Sequence, residues 1–130
     1  AILLKKHPKA KTQVLLAGHY DTVFDKSHPF QKVKMVDKNI LQGPGVADMK
    51  GGLIVMLKSL EILESSPYAG KLGFEVIINP DEEVGSCGSY PLYCKAAAGK
   101  KAGLIFEPSF ADGALVNSRK GSCNLSVVAF

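Results

Sequence analysis

No two of the three cysteines, Cys87, Cys94 and Cys123, are spaced as a CxxC pair, and their odd number does not suit a disulfide framework. A reducing compartment is favoured on that ground, with the cytoplasm expected and a periplasmic or secreted location as the alternative. No apolar run approaches the roughly 20 residues of a membrane-spanning helix, and the opening AILLKKHPK lacks the charge, apolar stretch and cleavage site of a signal peptide. Neither a membrane nor a nucleic acid is expected as a partner. The net charge is only +4, and the lysines are scattered without interleaved aromatics. The early KKHPKAK segment is read as a solvated loop ahead of the first strand. A serine-hydrolase elbow of the G-x-S-x-G type is missing, as are internal repeats and low-complexity segments. The chain begins in an apolar segment without methionine and closes on the strand-like CNLSVVAF, so it is expected to be a fragment.

What is present alternates. TQVLLAGH reads as a strand buried on both faces, and VKMV and NIL flank Asp37, Lys38 and Asn39 as a short hairpin ending in Gly-Pro-Gly. From Asp48 to about Ser65 the period becomes helical: Leu53, Met56, Leu57, Leu60 and Leu63 recur, and Ile54, Val55 and Ile62 widen the stripe into a helix covered by a sheet. Pro67 and Gly70 stop it. KLGFEVIINP is a second buried strand, GSCGSYPLYCKAAAGK a helix with Pro91 near its start, and AGLIFEP a third strand. Strand, helix, strand, helix, strand gives an α/β fold, a three-layer sandwich around a mostly parallel mixed sheet. GALVNSR and SCNLSVVAF are expected to leave that sheet as an antiparallel pair.

In such sheets the working groups lie beyond the carboxyl ends of the strands. GHYDTV places His19 and Asp21 at the first end; Asp81, Glu82 and Glu83 stand at the second, Glu107 at the third, and Asp48 opens the central helix. Taken singly, each has an ordinary reading. Asp48 serves as an N-cap, the DEE run as a solvated first turn, His19 as a core histidine and Glu107 as a loop carboxylate. Converging at one rim, however, these carboxylates would repel one another unless they took up protons or a cation neutralised them. One imidazole with several carboxylates suits zinc, and a metal pair sharing a carboxylate would resolve the repulsion. Asp21 would then accept from the second ring nitrogen of His19 and fix its tautomer. Cys87, early in a helix, is read as a packed residue rather than a redox switch; Tyr90 and Tyr93 are read as helix packing, and Tyr20 as packing or cleft lining. Arg119 is read as a surface arginine.

The segments GHYDTV, GPGVADMKGG, PDEEVGS and FEPS, in this order, resemble the motifs of the dinuclear zinc exopeptidase and deacylase family, which includes glutamate carboxypeptidase, acetylornithine deacetylase, succinyl-diaminopimelate desuccinylase and aminoacylase. The likeness covers roughly residues 13 to 110 and is strongest to the folate-cleaving glutamate carboxypeptidases. It implies two Zn2+ ions, with Co2+ or Mn2+ able to stand in. His19 and Glu107 would hold one, Glu83 the other, and Asp48 would bridge; Glu82 would be the general base and Asp21 would orient His19. It further implies a cis peptide bond between Asp48 and Met49. Residues 1–117 would be the N-terminal part of the catalytic domain, and 118–130 the crossing into, and first strand of, a lid and dimerisation domain through which the full-length protein would form a homodimer. The family's distal histidine ligand and lid have no counterpart here, and His7 and His28 are poor substitutes. The fragment alone is therefore expected to be inactive. The implied reaction is metal-dependent hydrolysis of an amide bond in a small peptide or N-acyl amino acid, by a carboxypeptidase releasing a C-terminal residue such as glutamate. An N-acyl amino acid deacylase and a non-catalytic relative used as a binding or assembly module are the alternatives.

Overall fold

A computed structural model describes residues 1–121 and 126–128. Among the described residues the alternation becomes six strands and two α-helices: β1 (Ile2–Lys6), β2 (Thr12–His19), β3 (Lys34–Asp37), β4 (Ile40–Gln42), α1 (Gly51–Glu64), β5 (Leu72–Asn79), α2 (Tyr90–Ala97) and β6 (Ala102–Ile105). The main sheet is mixed, in the order β1-β5-β2-β6, and β3 and β4 form a separate hairpin. β2 runs parallel to both β5 and β6, whereas β1 is antiparallel to β5.

The strand β1 corrects the sequence reading. Lys5 and Lys6 were expected in a solvated loop, but they pair with Glu75 and Phe74 along the edge of the sheet. An edge strand needs only one covered side, so ILLKK satisfies its backbone while remaining exposed along its whole length. Its lysines also meet acids: Lys5 lies 3.2 Å from Glu75, and Lys6 and His7 both reach Glu64 at the end of α1.

β2 is the central strand and is buried from Val14 onward. Its pleat sends alternate side chains to opposite faces. Val14 and Leu16, with Phe74 and Val76 of β5, pack against Met56, Leu53, Leu60 and Leu63 of α1. Leu15 and Ile77 pack on the other face against Ala96, Leu92 and Tyr93 of α2. Each fully buried large side chain of this kind contributes about 1.5–3 kcal/mol. One helix therefore covers part of each face. The wide apolar stripe expected of α1 is only half used: Ile54, Val55 and Ile62 are 58–70% exposed, because the sheet is met by the 53/56/60/63 stripe alone.

Helix boundaries also move. Asp48 was expected to open α1, but its backbone is extended (φ −116, ψ 99), and residues 46–50 form a wide turn closed by the Lys50 amide on the Gly45 carbonyl at 2.8 Å. Gly45 enters that turn at φ 69, a conformation that favours glycine. α2 starts at Tyr90, later than expected, which leaves Cys87 exposed in the preceding turn rather than packed in a helix. Tyr93 packs as expected, whereas Tyr90 faces solvent. GALVNSR forms no strand, and its expected partner SCNLSVVAF lies in part outside the described residues. Among the described residues no helix is long and apolar enough to cross a membrane.

Candidate metal centre

Register brings the site together. His19, the last residue of β2, sits beside Asn79, the last residue of β5, and Ala17 pairs with Ile105 at the end of β6. Three strands thus end at one rim, where their exit loops carry the acidic residues other than Asp48, which comes from the turn before α1. The His19 side chain is only 1% exposed, and its backbone amide donates to the Met49 sulfur at 3.1 Å. Met49, completely buried, follows Asp48 across a cis peptide bond, as expected from the motif.

Around the imidazole, Asp48 Oδ1 lies 3.0 Å from Nε2, Glu107 Oε1 3.5 Å and Glu82 Oε2 3.9 Å. On the opposite edge of the ring Asp21 Oδ1 lies 3.2 Å from Nδ1. His19, Asp48 and Glu83 each offer a ligand atom, and these atoms lie within 4.8 Å of one another. The six residues to which the resemblance gives site roles therefore share one rim. His7 and His28 do not join them: His7 is paired with Glu64, and His28 accepts the Phe30 amide within its own loop.

The close approach of α1 to the rim depends on Gly52. A Cβ there would stand 1.8 Å from the carbonyl oxygen of Phe106, the residue before Glu107, so only glycine lets the helix start and the β6 exit lie this close.

The electrostatics are those of an acid cluster around one base. Burial pulls the His19 pKa down, but the hydrogen bond to Asp48 and the charges of Glu107, Glu82 and Asp21 outweigh it and raise the pKa above its ordinary value. Glu107 is also raised, chiefly by burial and then by the neighbouring Asp48 charge, with Glu82 adding to it against the opposing effect of His19. Both shifts describe a pocket that favours added positive charge.

The sequence reading missed the scaffold behind these groups. Asp81 stands at the strand end with the candidate ligands, yet both its oxygens are occupied. Oδ1 accepts from Asn79 Nδ2 at 3.0 Å and from the Ser89 hydroxyl; Oδ2 accepts the Gly88 and Ser89 amides at 2.9 and 3.0 Å. The bonds from Ser89 and Asn79 hold its carboxyl below the usual range against a small desolvation. Buried Asn79 also donates to Ser86 Oγ and accepts the Tyr93 hydroxyl at 2.9 Å. The abundance of Asn, Asp and Ser in NPDEEVGSCGS was the available signal. Asp21 likewise does more than expected, since its Oδ2 accepts the Glu83 amide at 3.0 Å.

The profile of Peptidase family M20/M25/M40 matches residues 15–124. Two curated relatives are similar to the chain. "Carboxypeptidase G2" of Pseudomonas sp. (strain RS-16) is 37% identical over 98 residues, covering 75% of this chain and 24% of that protein. "N-formyl-4-amino-5-aminomethyl-2-methylpyrimidine deformylase" of Halalkalibacterium halodurans is 32% identical over 97 residues, covering 68% of this chain and 22% of that protein. The chain spans about a quarter of the length of these relatives. No solved structure gives a significant match.

Proposed function

The chain belongs to peptidase family M20/M25/M40, and on that premise we propose that it carries metal-binding segments of a hydrolase that cleaves amide bonds, most simply a carboxypeptidase releasing a C-terminal residue such as glutamate. The observation that carries the reading is the arrangement around His19. A buried imidazole meets four carboxylates from four separate segments, while Nδ1 and Asp21 Oδ1 lack any aligned hydrogen bond. Such a pocket is costly as an empty acid cluster and fits a divalent cation. If His19 Nδ1 carries the proton, Asp21 accepts it, and the Nε2 lone pair faces the carboxylates as a ligand.

His19, Glu107 and Asp48 would hold one ion, and Asp48 and Glu83 the other, with two Zn2+ proposed and Co2+ or Mn2+ able to replace them. When bound, such a pair makes water a stronger acid and polarises an amide carbonyl. Glu82, half exposed and 3.9 Å from His19 Nε2, has the freedom to act as base. It would take the proton of the attacking water and return it to the leaving amine as the C–N bond breaks. Asp21 keeps the imidazole in one tautomer and, through the Glu83 amide, ties the two acidic loops together.

The likeness to a deformylase favours a second reading, removal of an N-acyl group from an amino compound by the same chemistry. A panel of N-acyl and peptidyl glutamates would separate the two. We extend the proposal to the complete protein as a three-layer sandwich whose catalytic domain includes residues 1–117. Residues 118–130 would lead into a lid and dimerisation domain, and the protein would work in the cytoplasm. The decisive variant is Glu82→Gln in the full-length protein: metal content should be unchanged while kcat falls by about 100- to 10,000-fold. Near-wild-type turnover would remove Glu82 from the base role.

A further inference from the structure

We propose that Asp81 is a positioning residue: its carboxylate, braced by Asn79 and holding the Gly88 and Ser89 amides, folds the 81–86 turn so that Glu82 and Glu83 are held beside His19. The inference rests on the reading of the rim as a metal centre and explains how two adjacent acids are kept there. Glu82 and Glu83 lie beside Asp48 and Glu107, and like charges favour the turn swinging outward. Three constraints oppose this. The Ser86 amide donates to the Asp81 carbonyl at 2.6 Å and the Gly85 amide to the Glu82 carbonyl at 2.8 Å, closing the turn on itself. Asn79 Nδ2 donates to the Ser86 hydroxyl at 3.2 Å, holding Ser86 at φ 55 against the ~1–2 kcal/mol that this left-handed conformation costs a non-glycine residue. Finally, the Asp81 carboxylate joins the start of the turn to the start of α2, so the acids are anchored to a helix packed on the sheet rather than to a free loop.

Its chemistry differs from that of its neighbours. With four donors arrayed around two oxygens, Asp81 has no free lone pair directed at the rim, so it acts only through Glu82 and Glu83. Asparagine cannot replace it: one oxygen would become an NH2 group facing either the two amides or the Asn79 and Ser89 donors.

The experiment uses Asp81→Asn and the milder Ser89→Ala in the full-length protein. Three quantities are read: amide exchange of segment 80–89 in chelator-treated protein, Zn2+ affinity by competition with a chromogenic chelator, and kcat and KM on an N-acyl glutamate. Asp81→Asn should speed exchange of 80–89 by about tenfold or more while leaving α1 unchanged, weaken Zn2+ by about 10- to 100-fold, and lower kcat with KM retained. Ser89→Ala should give a smaller change of the same kind. Unchanged exchange in both variants, or faster exchange with Zn2+ affinity and kcat kept within about twofold, would overturn the inference. If the wild-type protein neither binds Zn2+ nor hydrolyses amides, the proposed function fails, while exchange still decides whether Asp81 holds the turn.

Discussion

Asp21→Asn is the most informative single-atom change, because the native carboxylate accepts the Glu83 amide with one oxygen and sets the other beside His19 Nδ1, two places that an amide cannot both fill with oxygen. Oδ1 stands 3.2 Å from His19 Nδ1, and Oδ2 accepts the Glu83 amide at 3.0 Å. If the asparagine oxygen turns to His19, its NH2 confronts the Glu83 amide and a charge-assisted hydrogen bond of about 1.5–3 kcal/mol is lost from the loop. If the oxygen turns to Glu83, the NH2 meets Nδ1 and drives the ring proton to Nε2, where it removes the lone pair facing Asp48. Either outcome damages a ligand. The expected cost is about 10- to 100-fold in divalent-metal affinity, or about 1.4–2.8 kcal/mol. Chelator competition with Zn2+ on the full-length protein measures it directly, and thermal melts with and without metal should show a smaller metal-induced rise in the variant. A variant that bound Zn2+ within twofold of wild type would refute the role given to Asp21.

Three further outcomes follow from the packing. Gly52→Ala, whose Cβ would stand 1.8 Å from the Phe106 carbonyl oxygen, should lower stability by about 1–3 kcal/mol and weaken metal binding by moving Glu107. Gly103→Ala, where nothing lies within 4 Å, should do neither, and chelator competition with thermal melts would distinguish them. Phe74→Ala, at a side chain 2% exposed, should cost about 3–5 kcal/mol in denaturant unfolding. The hydrogen bond from Lys100, with Lys5 assisting, depresses the Glu75 pKa. A depressed carboxyl contributes stability at pH values above its unfolded pKa and loses it as pH falls through the lower folded one. The stability gap between wild type and Glu75→Gln should therefore be present at neutral pH and close in acid, as thermal melts across that range would reveal.

Most of the rim was legible because His19, Asp21, Glu82, Glu83 and Glu107 lie at or just beyond the ends of apolar strands, whereas Asp48 arrives from the turn before α1. TQVLLAGH and LGFEVIIN stand out as buried runs and AGLI, exposed in the sheet, by its apolar content alone, and parallel pairing of β2 with β5 and β6 fixes where their ends lie. Spacing alone could not show which acids face inward. Asp81 and Glu82 are neighbours with the same charge, yet Asp81 is consumed by Asn79, Gly88 and Ser89 while Glu82 stays open. That division depends on the turn conformation at Ser86, which composition does not encode. β1 was overlooked because an exposed edge strand lacks the alternation that marks a half-buried one, and its lysines imitate a loop. Asp48 is a residue type that often caps helices, but its backbone is extended (φ −116, ψ 99) and α1 starts only at Gly51. The outer face of α1 misled in the opposite sense, since Ile54, Val55 and Ile62 look like core residues but lie open among the described residues.

On the proposed function, divalent ions are what make it favourable for these acids to share a rim. Anomalous diffraction from crystals of the full-length protein grown with Zn2+ tests it most directly. Two peaks about 3.5–4 Å apart are expected, with Asp48 between them, His19 and Glu107 on one and Glu83 on the other. A map with no peak at His19, from protein shown to be folded, would contradict it.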